Sequence, residues 1–319
     1  MPAPTSPTWF EDLTGTRELT WRAMRKALIF FPPDRTSVTT PAGTFPTGDF
    51  TFLQLNDILG TLPPAKRGRE LVARPLSADA FDLHHSPRAA GAVIQVASQF
   101  NCLEHPNPAC GMLNGVSGYV HDRTQGPACA LACPFDLLFR HYCAQSPDNQ
   151  LDGTADLWHE LRNAAFDNPW NMRNGYLLPN GQETLRASRF LGGLTPASYG
   201  RMRGLVRIGV TRGAWVARAR QRVTQVYCSA IPMAYFGDRL PAGGGAFRPL
   251  ARLFLEAAYL ATLTVAATQQ AQGGSGTVFL TRVGGGAFGN PRTLIDDALS
   301  SALLRMRGYP LDVFIVERG

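Results

Sequence analysis

Lysine is almost missing from this chain. Lys26 and Lys66 are the only two in 319 residues, so arginine carries nearly all of the positive charge. Arg-rich, Lys-poor usage is what a GC-rich, bacterial-like coding composition produces. Six cysteines are too few to staple a fold of this size, and no Cys-x-x-Cys pair is present. No run approaches the roughly 18 apolar residues of a membrane span. The start, MPAPTSPTWFEDL, has neither a basic n-region nor an apolar h-region, so no signal peptide is expected. These absences together predict reduced cysteines, a cytoplasmic protein and no membrane partner. No Gly-Lys-Ser/Thr follows a glycine loop, which excludes a Walker A site, and no Gly-x-Gly-x-x-Gly opens the first strand–helix unit, which excludes a Rossmann dinucleotide site. There is no internal repeat.

What is present is an ordinary globular composition, 45% hydrophobic and 17% charged, in a chain long enough for one large α/β domain. Residues 1–15 read as a Pro/Thr-rich lead. The spacing of Leu19, Ala23, Ala27 and Phe30 predicts a helix over 16–31, stopped by PPDRTS. The Thr/Phe-rich stretch 37–56 predicts a hairpin, and PPAKRGRE a loop. AVIQVA, from Ala92 to Ala97, predicts a strand buried on both faces. PACALACPFDLLFRHYC predicts one helix, and 145–200 an Asn/Asp/Pro/Gly-rich insertion or lid. LVRIGV and GAWVARA alternate as a hairpin would, and VTQVYCSAI predicts a second central strand. FRPLARLFLEAAYLATLTVAATQQA is the clearest amphipathic helix. TVFL, a glycine loop, RTLIDDALSSALLRM and LDVFIVE complete the chain as strand, loop, helix and strand. Strands alternating with helices predict a three-layer α/β/α sandwich with a mixed central sheet. The expected division is an N-terminal helix-and-hairpin extension over 1–69, packed on a core at 70–319 that carries an insertion over 145–222.

Two glycine loops carry the chemistry. TRVGGGAFGNP, Thr281 to Pro291, follows a strand and feeds a helix. That is the geometry in which backbone N–H groups and a helix N-terminus face a phosphate, with glycine where a Cβ would fill the ligand's space. A plain tight turn is the alternative. NGVSGYVH, Asn114 to His121, is a second such loop past the strand AVIQVA. Two loops after buried strands suit a diphosphate held from both sides.

These residues resemble the macrodomain, the ADP-ribose-binding module. AVIQVASQFN stands for its first buried strand and GVSGYVH for its Gly-Gly-Val-Asp-Gly-x-Ile-His stretch. VTQVYCSAIP, the long helix, TVFL, GGGAFGNP, RTLIDDALSSALL and LDVFIVE follow its second half in order. The resemblance covers somewhat over half the chain and implies an ADP-ribose ligand, free or on a modified protein or nucleic acid, with no cofactor. It implies that Gly115, Val116, Ser117 and Gly118 on one side close on the diphosphate and distal ribose. Gly284, Gly285, Gly286, Ala287, Phe288, Gly289 and Asn290 would close from the other side, with Phe288 stacked on the distal ribose. It also implies an Asp before the first strand that accepts from the adenine amino group. Asp79 is the first choice, then Asp82, with Asp49 in TGDFT too distant; a turn or N-cap role is the alternative for each.

The family's hydrolytic Asp corresponds to Ser117 here, and the Gln-Glu-Glu motif of poly-ADP-ribose glycohydrolases is absent. A hydrolase would then rely on Glu104, Asn101, Asp122 and Gln125, with burial tuning a carboxyl as acid or base. A non-catalytic ADP-ribose reader is the alternative. Cys102, Cys110, Cys129, Cys133 and Cys143, with His105, His121 and His141 among them, raise a zinc site. Cys129 and Cys133 are spaced i, i+4, but a helix interior accounts for them equally, so no metal is expected. Trp170, Met172 and Tyr176 in the insertion could contact a base or anchor it to the core. Nine arginines and no carboxylate lie between Arg186 and Arg222. They form either a solvated face or a contact for a nucleic acid.

Overall fold

A computed structural model of the protein describes residues 8–30, 36–65, 71–236 and 245–317. Residues 1–7 of the expected lead, and most of the PPDRTS and PPAKRGRE loops, lie outside the described residues. In chain order the first half contains α1 (Trp9–Thr14), α2 (Trp21–Ala27), β1 (Ile29–Phe30), β2 (Ser37–Thr40), β3 (Gly43–Pro46), β4 (Asp49–Gln54), α3 (Leu55–Gly60), β5 (Val72–Ser77), α4 (Ala80–His85), β6 (Val93–Ala97), α5 (Gln125–Ala132) and α6 (Pro134–Tyr142). The second half contains α7 (Ala155–Asn163), β7 (Trp170–Arg173), β8 (Tyr176–Pro179), α8 (Gly181–Gly192), α9 (Pro196–Gly204), β9 (Arg207–Val216), β10 (Gln221–Cys228), α10 (Arg248–Ala271), β11 (Thr277–Thr281), α11 (Arg292–Met306) and β12 (Asp312–Glu317).

The central sheet has seven strands in the order β4-β9-β10-β6-β11-β12-β5. From β10 to β5 every neighbouring pair is parallel, while β9 runs antiparallel to both β10 and β4. Helices cover both faces, so the architecture is the expected three-layer sandwich on a mixed sheet. On β6, Val93 packs towards α10, and Ile94 and Val96 pack towards the opposite layer. A strand buried on both faces reads as a continuous apolar run for this reason. Gln95 interrupts the run and is fully buried. Its amide donates to Thr262 of α10 (3.3 Å) and accepts from the Thr281 N–H of β11 (3.1 Å), so it ties three elements.

α10 is long and apolar enough to cross a membrane by length and composition, which the sequence reading had excluded. In the fold 94% of its apolar window is buried, because α8, α9, α11 and the sheet enclose it. The expected single helix over PACALACPFDLLFRHYC is two. Pro134 cannot donate to the preceding turn, so Cys133 leaves helical geometry (φ −119°, ψ 64°) and α6 restarts with proline in its first turn. LVRIGV and GAWVARA form one strand rather than a hairpin. Gly213 takes φ +67° within β9, near a register shift against β10 between Val223 and Gln225. The helix expected from residue 16 starts at Trp21, where the Thr20 side chain caps it.

The expected domain boundaries shift as well. β2 and β3 pair as a hairpin joined by β1, but β4 leaves them and becomes an edge of the central sheet beside β9. The segment 1–69 is therefore not only an extension. β9 belongs to the central sheet too, so the inserted elements are α7 to α9 and end before residue 207.

Candidate functional site

β6 and β11 pair only at Val93↔Val278 and Ile94↔Phe279, whereas β11 and β12 pair over five positions. Beyond those two positions the carboxyl ends of β6 and β11 separate. Open parallel sheets bind ligands in such a crevice. Here the crevice is a cleft of about 620 Å³, within the size range of small-ligand sites. It runs from the end of β5 (Ala78, Asp79), past β12 and β11 (Glu317, Arg282), to the end of β6 (Ser98, Gln99). Three strand spacings separate β5 from β6, a span of roughly 14 Å.

The glycine loop after β11 forms one wall. Gly284, Gly285, Gly286, Ala287, Phe288 and Asn290 all line the cleft. Gly284 needs its left-handed φ of +79°, and a Cβ there would meet Ala230 at 2.6 Å. Gly286 has nothing within 4 Å of a notional Cβ, so its backbone faces open space. Asn290 pins the loop, donating from Nδ2 to the Ile231 (2.8 Å) and Gly284 (3.1 Å) carbonyls. Gly289 does not line the cleft; it packs against Ala234 with φ +67°.

The second glycine loop is not at the cleft. Gly115, Val116, Ser117 and Gly118 face the N-terminal segment instead. Its amides are occupied: Val116 N–H donates to Glu18 Oε1 and Ser117 N–H to Oε2, both at 2.7 Å. Gly115 sits at φ +70°, where a Cβ would strike the Glu18 carboxylate. The loop does have anion-binding geometry, but the anion it holds belongs to the chain itself.

The cleft wall expected from that loop is supplied by the next turn, Asp122 to Ala128, which opens α5. Gln125 lines the cleft, but its amide is spent on the frayed edge of β6. Oε1 accepts from Ala97 N–H (2.6 Å) and Nε2 donates to the Gln95 carbonyl (2.8 Å). It stands in for the missing β11 partner rather than for a catalytic group. Gly126 lets the helix start touch the strand end; a Cβ there would lie 2.0 Å from the Ala97 carbonyl oxygen.

Glu104 lines the cleft and is 2% exposed. Arg140, fully buried on α6, donates from Nη1 to both of its carboxylate oxygens at 2.9 and 3.2 Å. The same guanidinium stacks on the Tyr227 ring at 4.0 Å and also donates to the Cys102 carbonyl. Burial pushes the Glu104 carboxyl up to about 7, against the pull of Arg140. Its main-chain N–H donates to the Tyr119 hydroxyl at 2.8 Å. Asp122 also lines the cleft, with Oδ1 accepting from Thr124 N–H. Asp79 lines the β5 end and at the same time caps α4, accepting from Phe81 N–H at 2.8 Å and Asp82 N–H at 3.3 Å. Asp82 and Asp49 are not at the cleft.

Asn101 is not at the cleft either. It is buried, accepts from Leu103 N–H (3.1 Å) and donates to Gln150 (2.9 Å), shaping the turn in which Cys102 takes φ +60°. The cysteines disperse: burial raises the thiols of Cys129 and Cys133 well above their ordinary value, and Gln125 donates to the Cys129 sulfur. Among the described residues no three His, Cys, Asp or Glu side chains converge on a metal position. The arginine stretch disperses too. Arg186, Arg203 and Arg207 pair with Glu183, Glu256 and Asp156, and Arg222 donates to the Gly213 carbonyl. Trp170 is core, with its indole N–H on Thr154.

Sequence reading named Phe288 and Tyr176 separately but missed Tyr235 and the aromatic end of the cleft that the three form. Tyr176 on β8, Tyr235 and Phe288 gather there, with ring centroids 5.5 to 6.4 Å apart. Tyr235 remains 41% exposed. Tyr176 comes from the insertion, and its hydroxyl donates to the His105 carbonyl at 2.6 Å. Charge in the cleft is nearly balanced: Arg123, Arg282 and Arg292 face Asp79, Glu104, Asp122 and Glu317. Arg282 pairs with Asp296 and Glu317, and Arg292 with the same two carboxylates.

No protein-family model matches the sequence, and no curated protein matches it. Solved structures similar to it include the poly(ADP-ribose) glycohydrolase of Thermomonospora curvata, at 15% identity over 93% of this chain and 92% of that one, with a TM-score of 0.44. The poly(ADP-ribose) glycohydrolase of Deinococcus radiodurans, in complex with ADP-ribose, is similar at 10% identity over 95% and 92%, with a TM-score of 0.44.

Proposed function

We propose that the cleft binds ADP-ribose as one end of a conjugate, and that the protein is an ADP-ribosyl hydrolase. One observation carries this reading: the glycine turn Gly284–Gly286, whose last residue faces open space, and a buried carboxyl, Glu104, line one crevice at the carboxyl ends of a parallel sheet. The near-balance of charge favours this ligand over a polyanion. Phosphates here would be met by backbone N–H groups, whereas a nucleic-acid backbone is held by a surplus of cations. Tyr235 and Phe288 offer ring surface to a sugar or base.

Glu104 is arranged as a carboxylate, since Arg140 donates to both of its oxygens. In that form it takes a proton from a water molecule as the water attacks the anomeric carbon of the distal ribose. The bond to the acceptor breaks, the proton taken up by Glu104 passes through solvent to the departing acceptor atom, and ADP-ribose and the free acceptor leave. Asp122 sits at the same cleft as the second carboxylate.

Calorimetric titration with ADP-ribose, AMP and ribose-5-phosphate tests the ligand. Micromolar binding of ADP-ribose is expected, with loss of binding in Gly286→Glu, whose Cβ meets nothing within 4 Å. A wild-type protein that binds none of the three overturns the reading.

A further inference from the structure

Glu18 lies outside the cleft, yet its contacts converge on the residues that hold Glu104. Its two carboxylate oxygens take the N–H groups of Val116 and Ser117 at 2.7 Å each, and the Tyr142 hydroxyl donates to Oε1. Ser117 opens the short turn Ser117–His121 that contains Tyr119, whose hydroxyl accepts the Glu104 N–H. Tyr142 lies two residues after Arg140 on α6, and Arg140 grips the Glu104 carboxylate. One side chain therefore bolts together the two elements that fix Glu104, one through its main chain and one through its carboxylate. Flanking indoles reinforce the bolt: Trp9 Nε1 donates to the Ser117 carbonyl (2.8 Å) and Trp21 Nε1 to the His141 carbonyl (3.1 Å).

We infer that Glu18 is a positioning residue for Glu104, acting through the Ser117–His121 turn and α6. The inference rests on the reading of Glu104 as the base. Two backbone N–H groups and a hydroxyl converging on one carboxylate form a nest, and charge-assisted hydrogen bonds of this kind are strong and geometrically strict. Without the carboxylate, three donors lose their common acceptor. The turn and the helix are then free to separate, and Glu104 moves with them. The Gly284–Gly286 wall belongs to other elements and keeps its place, so ligand affinity and turnover come apart.

The full chain as wild type, Glu18→Ala and Glu18→Gln, assayed with ADP-ribose, an ADP-ribosylated peptide and sodium formate, tests this. In Glu18→Ala the kcat on the peptide falls about a hundredfold, the loss typical of a displaced catalytic group, while the Kd for ADP-ribose is unchanged. Formate enters the emptied nest and restores kcat. Glu18→Gln also loses kcat but is not rescued, because its side chain fills the nest. Wild-type kcat in Glu18→Ala, or failure of formate to restore it in protein that still binds ADP-ribose, overturns the inference. Should Glu18→Ala not fold, Glu18→Gln decides: wild-type turnover in it overturns the inference. Should the wild type cleave no conjugate, the functional reading fails, and hydrogen exchange decides the positioning. The Glu104 amide then loses protection in Glu18→Ala and regains it with formate; unchanged protection overturns the inference.

Discussion

At the scale of the residue, the proposed chemistry rests on the Glu104–Arg140 pair. Arginine does not give up its proton near neutrality, so the pair titrates through Glu104. With that carboxyl near 7, a base is protonated and idle below neutrality and ionised above it. Turnover of an ADP-ribosylated peptide should therefore rise as pH climbs through about 7. Glu104→Gln should lower kcat by about 10² to 10⁴ and leave the Kd for ADP-ribose near that of wild type. Stopped assays from pH 5 to 9 check both; a flat profile, or full turnover in both Glu104→Gln and Asp122→Asn, removes Glu104 from the mechanism. Glu104 was reached through the macrodomain resemblance, which puts QFNCLEH near the distal ribose. Its partner was not: Arg140 lies 36 residues on, in what reads as one apolar helix. Asn101 misled for a related reason, since an Asn after a strand reads alike whether it faces ligand or shapes a turn.

At the scale of the element, the joint between α5 and β6 is the tightest in the site. A Cβ on Gly126 overlaps backbone, not a movable side chain, so the helix start must shift off the strand. Gly126→Ala should destabilise the protein by about 1–3 kcal/mol, the usual cost of overpacking, and weaken ADP-ribose binding by displacing Gln125. Gly118→Ala, with no atom within 4 Å of its Cβ, should do neither. Urea melts of the two variants separate them, and equal midpoints would refute the account. The sequence reading counted Gly118 among the ligand-binding glycines and passed over Gly126. Both are the second residue of a short helix. Which of two glycine loops meets a ligand depends on what else reaches it, and Glu18 reaches the first from about a hundred residues away. Apolar patterning did locate β6, α10, β11, α11 and β12, with β6 and β11 read as continuous apolar runs and α10 as an amphipathic helix. It could not assign β4 to the central sheet, since pairing with β9 is a long-range choice that local spacing does not encode.

At the scale of the whole molecule, buried ionisable groups oppose each other. Burial lowers His84 and His105 to about 4 and His141 to about 3, while it raises Glu104 to about 7 and Asp136 to about 6. The lowered histidines contribute stability that is present above their unfolded value of 6.5 and is lost as pH falls through the folded values. The raised carboxyls contribute stability that is present below their unfolded values, 4.5 and 3.8, and is lost as pH rises through 6 and 7. Between about pH 7 and 5 the unfolded chain binds up to three more protons at histidine, and the folded chain up to two more at carboxyl. The net difference is therefore about one proton, and stability should fall by about 1.4 kcal/mol per pH unit between pH 6 and 4. Below about pH 4 the folded histidines take up protons as well, and the slope flattens. Denaturant titrations from pH 7.5 to 3.5 should show a shallow, steady decline; a plateau down to pH 5 followed by a cliff would contradict this balance.

β12 lies between β11 and β5, and Asp312 pairs with Val72. On a ribosome, β5 and α4 emerge early, with Asp79 already in place at the helix start, and then wait for almost the whole remaining chain. Until β12 arrives, β5 has no neighbour and one end of the cleft has no floor. The edge strand β4 waits similarly for β9. Both borders of the sheet are thus closed by late, distant partners, a topology that folds slowly and leaves strand edges bare in the interval. Synthesis of this protein therefore passes through a stage in which the β6–β10 pair can exist while the cleft does not.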